Sequence, residues 1–203
     1  MTLVSPRVLA ASLLATLVAT TASAQLDQAN MQEFMKAMGE IMGGTTNGAP
    51  PAVVDFRELK ALLPAELPAM KRTNASGEKN AAMGITVSSA EGRYEGGDGY
   101  IEIKLSDNGG MGGFMAFAQA GWSAAEIDRE TDTGFERTTT LNGQKAKEEY
   151  DNESRHGKIE VLVGGRFMVE VTGGNVSFDQ IQTAAKMLDY EKLAALKPAA
   201  AQP

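Results

Sequence analysis

The spacing of apolar positions changes period several times along the chain, and each change marks an element. Residues 26–42 set Met31, Phe34, Met35, Met38, Ile41 and Met42 at helical intervals, which predicts an amphipathic helix with one apolar stripe. Gly43-Gly44 closes it, and residues 43–52, rich in Gly, Thr, Asn and Pro, read as a flexible linker that tethers the helix to the next segment of the chain. Asp55-x-x-Glu58 is a capping box for a short helix over Phe56–Leu63, stopped by Pro64. Met83 to Tyr94 is strand-like. After Gly96-Gly97-Asp98-Gly99, the run Tyr100–Leu105 alternates Ile101 and Ile103 with Glu102 and Lys104, as a half-buried strand does. The two make a hairpin. Ser106–Gly113 reads as a polar, glycine-rich loop. Gly113–Ala120 reads as a helix with Phe114 and Phe117 inward, ended by Gly121.

Two further hairpins are expected. Phe135–Leu141 and Gln144–Tyr150 flank Asn142-Gly143, the pair of residues that a type I′ turn with two positive φ angles favours. Lys158–Val163 and Arg166–Val171 flank Gly164-Gly165, with Ile159, Val161 and Val163 alternating on one arm and Phe167, Val169 and Val171 on the other. Ser177-x-x-Gln180 is a capping box for a helix that carries Phe178, Ile181, Ala185 and Leu188. Residues 191–203 read as an Ala/Pro-rich tail. The expected fold class is therefore α+β: an antiparallel sheet of about six strands built from hairpins, with flanking helices and a tethered amphipathic helix in front. The domain proper is expected over 53–190.

This order resembles the PsbP/MOG1-like fold group of small exported proteins. The resemblance spans Val53 to Leu188 and is carried by the two closing hairpins, their glycine turns and the final helix at Ser177-Phe178. It implies an antiparallel sheet flanked by helices, and a binding or assembly role rather than catalysis. No family motif matches residue by residue, so it implies no site residue.

The first residues add a destination. Arg7 precedes an uncharged apolar run from Val8 to Ala19, and Ala22-Ser23-Ala24 is an A-x-A cleavage site, so residues 1–24 read as a secretory signal peptide. The run is shorter than the roughly 20 residues a membrane span needs. A periplasmic or secreted location is expected. The chain has no cysteine, which excludes thiol catalysis, Cys-ligated metals and stabilising disulfides. The net charge of −7 argues against nucleic acid and anionic lipid surfaces, since both need basic patches.

Candidate chemistry is sparse. Ser76-x-x-Lys79 and Ser106-Asp107-Asn108 spell two of three signatures of serine β-lactamases, but the serine sits in a polar stretch and the K-T-G element is missing. His156 is the single histidine, too few for a His₂ or His₃ zinc site. Glu148, Glu149, Asp151 and Glu153 gather acids without EF-hand spacing. Gly109–Gly113 lacks the Lys and Ser/Thr of a P-loop. The Met stripe offers soft sulfurs to Cu(I), but thioethers at helical spacing more often form a docking face. The reading is a non-catalytic binding or assembly module with no cofactor and no metal. It meets a protein partner, or itself, through Met31, Phe34, Met35, Met38 and Met42. An envelope hydrolase and a copper- or calcium-binding protein are the alternatives.

Overall fold

The computed structural model describes residues 52–82, 85–110, 120–122 and 124–198. All lie within the unit Thr45–Pro203. The signal sequence, the predicted helix over 26–42 with its apolar stripe, the linker up to residue 51, and the predicted helix over 113–120 except Ala120, with Phe114 and Phe117, lie outside the described residues.

The expected six-strand α+β layout is overturned. The described residues are 19% helical and 56% strand, in a single antiparallel sheet of nine strands. The strands are β1 (Glu66–Leu67), β2 (Met70–Ala82), β3 (Ile85–Gly96), β4 (Gly99–Gly110), β5 (Asp128–Thr131), β6 (Gly134–Leu141), β7 (Gln144–Asp151), β8 (His156–Val163) and β9 (Phe167–Gly174). Their spatial order is β1-β2-β3-β4-β9-β8-β7-β6-β5. Three short helices are described along their whole length: α1 (Phe56–Ala61), α2 (Phe178–Lys186) and α3 (Tyr190–Ala195).

The three anticipated hairpins are present as β3–β4, β6–β7 and β8–β9. The additional strands are the polar ones. β2 runs through Thr73–Asn80 with most of its side chains exposed, so neither face imposes an apolar alternation. β4 continues through Ser106–Gly110, where polar and glycine-rich composition predicts a loop. β5 is short and wholly exposed. Helical backbone also runs past Gly121, whose carbonyl accepts the Ala125 N–H at 3.0 Å, so that glycine does not end the helix. At the other end α3 starts at buried Tyr190 and buries Leu193 within residues read as tail.

Register explains the core. Ile103 pairs with Val171, and Val171 pairs with Ile159, so these residues stand side by side on one face. Ile101, Leu105, Val161, Val163, Phe167 and Val169 share that face and are buried. α1 packs over β2 and β3, while α2 and α3 pack over the β8–β9 half. Ser177 caps α2 reciprocally with Gln180. Asp55 caps α1 by accepting the Arg57 N–H at 2.8 Å. In the β6–β7 turn, Asn142 at φ 47° and Gly143 at φ 78° adopt the positive angles that Asn-Gly supplies cheaply.

Candidate functional site

The face of the sheet opposite α1–α3 is built of charges. Reading across the register, Lys147, Glu160, Glu170, Lys104 and Glu91 form one row over β7, β8, β9, β4 and β3. Neighbouring rows add Glu136, Glu149 and Lys158. Lys147 Nζ stands 2.9 Å from Glu136 Oε1 and 3.8 Å from Glu149. Lys158 Nζ stands 3.1 Å from Glu160 and 3.8 Å from Glu149. The Lys147 hydrogen bond, with Arg129 alongside, holds the Glu136 carboxyl below the usual range. Burial works against the Lys158 ammonium, but its bond to Glu160 and the fields of Glu149 and Glu170 leave it above the usual lysine range. Opposing charges therefore face each other across strands, and the Glu160–Glu170 juxtaposition is offset by Lys158.

At the β5–β8 end this face sinks into a groove of about 300 Å³, with Arg129, Glu136, Glu149, Asp151 and His156 around a floor that includes Gly134. Arg129 pairs with Glu136 here. Asp151 accepts the backbone N–H and the hydroxyl of Ser154, each at 2.7 Å, which holds its carboxyl below the usual aspartate range. His156 is the first residue of β8 and is exposed, rather than part of a loop.

A second depression lies on the helix face between the β1–β2 turn and α2. Leu67, Pro68, Met70 and Ile101 meet Asp179, Gln180 and Thr183 around about 140 Å³. It adjoins a wider recess of about 500 Å³ bounded by Glu66–Lys71 and Met187. Met187, 47% exposed, is the exposed large apolar side chain among the described residues.

Among the described residues two carboxylates are buried, and both are engaged. Asp107 accepts from Val54 N at 2.7 Å, Gly109 N at 2.9 Å, and Arg166 Nε and Nη2 at 2.7 and 2.6 Å. Glu148 accepts Arg137 Nε at 2.8 Å and Gln182 Nε2 at 3.3 Å. The Arg137 guanidinium also lies 4.6 Å over the Phe135 ring, which meets Phe178 edge-on at 4.9 Å. The Thr86 and Ser88 hydroxyls and the Trp122 indole N–H are buried without a partner.

The sequence-derived candidates scatter. Ser76 and Lys79 lie on the exposed β2, while Ser106-Asp107-Asn108 lies two strands away on β4, and Asp107 is spent on Arg166. Strand alternation splits the acidic run: Glu148 faces the helices, whereas Glu149 and Asp151 face the charged side, so they form no common site. Met31, Phe34, Met35, Met38 and Met42 lie outside the described residues. Among the described residues no group of three His, Cys, Asp or Glu side chains is placed to hold a metal ion, and no helix is long and apolar enough to cross a membrane. Sequence reasoning misses the Arg166 and Arg137 clamps; an arginine beside a strand's apolar residues, as in Arg166-Phe167, is the signal that could have found them. Comparison with protein families, curated proteins and solved structures finds no match. The PsbP/MOG1-like resemblance thus rests on layout alone.

Proposed function

We propose that the chain is an exported, non-catalytic binding or assembly module that acts through apolar contact. One observation carries this reading: the buried acids of the sheet and three on its outer face already stand against cations. The buried ones are held by Arg166 and Arg137, and Glu136, Glu149 and Glu160 on the outer face stand against Lys147 and Lys158. A reaction centre needs an ionisable group free to take or give a proton beside a substrate, and these groups are held in ion pairs with their neighbours. The recognition element is the apolar stripe Met31, Phe34, Met35, Met38 and Met42. Docking would bury it in a groove of a protein partner or of a second copy.

The test is the double variant Met35→Asp, Met38→Asp, followed by light scattering and by capture from the native envelope. The expected result is a folded domain, by circular dichroism, that has lost a discrete partner retained by the unaltered chain, or the part of its self-association that the stripe provides. An unaltered chain that neither associates at any concentration nor retains a partner overturns the reading.

A further inference from the structure

β2 is the longest strand among the described residues, at 13 residues, and little of its outer side is paired. β1 pairs only with Met70 and Lys71. Among the described residues no strand pairs with the outer edge beyond Lys71. Such an edge presents backbone N–H and C=O groups that water or another strand must satisfy. One end is closed: a bulge falls between Arg72 and Asn74, and the Arg72 guanidinium donates to Leu63 O at 3.3 Å and Pro64 O at 3.0 Å. The open length is Asn74–Ala82, where Asn74, Ser76 and Glu78 to Ala82 are exposed. The opposite edge of the sheet, β5, is 4 residues of mostly charged sequence, a form that discourages pairing.

We propose that two copies of this chain join through their β2 edges, antiparallel about a two-fold axis at Gly77, so that the sheet continues across the pair. Two observations select this occupant and register. First, Gly77 carries no side chain and half-buried Phe56 covers it; a Cβ there would stand 2.7 Å from Phe56 Cδ2. An axis at Gly77 brings the two Phe56 rings together on the helix face and buries apolar surface that one copy leaves half exposed. Second, this register sets Ser76 opposite Glu78 of the second copy, Ala75 opposite Lys79, and Asn74 opposite Asn80. The Ser76 hydroxyl then has a carboxylate to donate to, and no like charges oppose. An axis at Glu78 or Lys79 would set like charges directly opposite, which is unfavourable. The two-fold arrangement closes on itself, so assembly stops at two.

The absence of cysteine lets crosslinking read the register. Ser76→Cys and Glu78→Cys are made separately in the full chain carrying Met35→Asp and Met38→Asp, which removes the helix route to association. Directly opposite Cα atoms lie about 4.5–5.5 Å apart, within disulfide reach, whereas Ser76 and its own counterpart lie on a diagonal of about 7–8 Å, beyond it. Under mild oxidation the mixture should yield a covalent dimer, while each variant alone stays monomeric on a non-reducing gel. In sedimentation equilibrium, Ser76→Lys should tighten the dimer and Ser76→Glu weaken it, each by roughly three- to tenfold, because the pair with Glu78 occurs twice. Ser76 and Glu78 are exposed, so circular dichroism should show the fold intact. No crosslink in the mixture, equal crosslinking of either variant alone, or a monomer at millimolar concentration overturns the proposal.

Discussion

Replacing Arg166 by alanine tests how the domain tolerates its buried charge. Asp107 is wholly buried on β4, and Arg166 supplies two of its four hydrogen bonds through the guanidinium, at 2.7 and 2.6 Å. Val54 N and Gly109 N supply the other two. Without the guanidinium the carboxylate keeps two backbone donors and loses its counter-charge. Breaking one side of a buried pair costs about 3–5 kcal/mol, because the remaining charge is uncompensated. The Arg166 side chain is 24% exposed, so water enters partway and the lower end, about 3 kcal/mol, is the expectation. For a domain of this size each kcal/mol moves Tm by about 2–4 °C, giving a fall of roughly 6–12 °C. The control is Arg57→Ala. Its partner Asp55 lies 3.2 Å away, but the side chains are 73% and 42% exposed, and such pairs contribute about 0–1 kcal/mol. Calorimetry and urea titration on both variants measure the contrast. The added change Asp107→Asn in the Arg166→Ala background should cost less than the two single changes together, since it removes the stranded charge. If Arg166→Ala falls within about 1 kcal/mol of Arg57→Ala, the account of the buried pair is wrong.

Two other outcomes are expected from the same packing. Asp151 titrates below the usual aspartate range because Ser154 donates two bonds to it. Its contribution to stability is therefore complete above the unfolded pKa of about 3.9 and is lost as pH falls through the lower folded value. Ser154→Ala removes the hydroxyl and keeps the backbone bond, so the Asp151 carboxyl resonance should titrate higher but still below an ordinary aspartate; an unchanged midpoint contradicts the assignment. Gly173→Ala would place a Cβ 2.6 Å from Ile181 Cγ1 and from Val176 Cγ2 and should cost about 1–3 kcal/mol in urea unfolding. Adding Ile181→Ala should recover part of that loss relative to Ile181→Ala alone, and strict additivity of the two changes would refute the clash.

Legibility in the sequence tracks how strongly each strand is squeezed between two environments. β8 and β9 have one face packed under α2 and α3 and the other bearing charges, so Ile159, Val161 and Val163 alternate visibly with Lys158 and Glu160. Asn142-Gly143 is readable because few residue pairs accept two positive φ angles. β2 and β5 are not readable. They stand at or next to the sheet edges, where side chains meet water on most sides and backbone pairing alone sets the conformation. β-propensity is a statement about packing on a half-buried surface, and an edge offers little of it. Each missed strand lengthens the sheet at its margins, which turns an expected six-stranded α+β domain into nine strands with short helices.

The same alternation decides what a cluster of acids means. Glu148, Glu149, Asp151 and Glu153 look like one patch when the chain is read as a line. A strand sends successive side chains to opposite faces, so Glu148 lands among Phe135, Phe178 and Arg137, and Glu149 lands beside Lys147 and Lys158. Adjacent acids thus acquire unrelated partners, and in a strand only residues two apart, as Glu149 and Asp151 are, share a face. The converse holds for Asp107 and Arg166, 59 residues apart yet bonded through two guanidinium nitrogens, because β4 and β9 pair with Asp107 opposite Phe167. Which side chains meet in this chain therefore follows from the register of the sheet rather than from the order of the residues. That register places the unpaired edge of β2 beside the half-buried ring of Phe56.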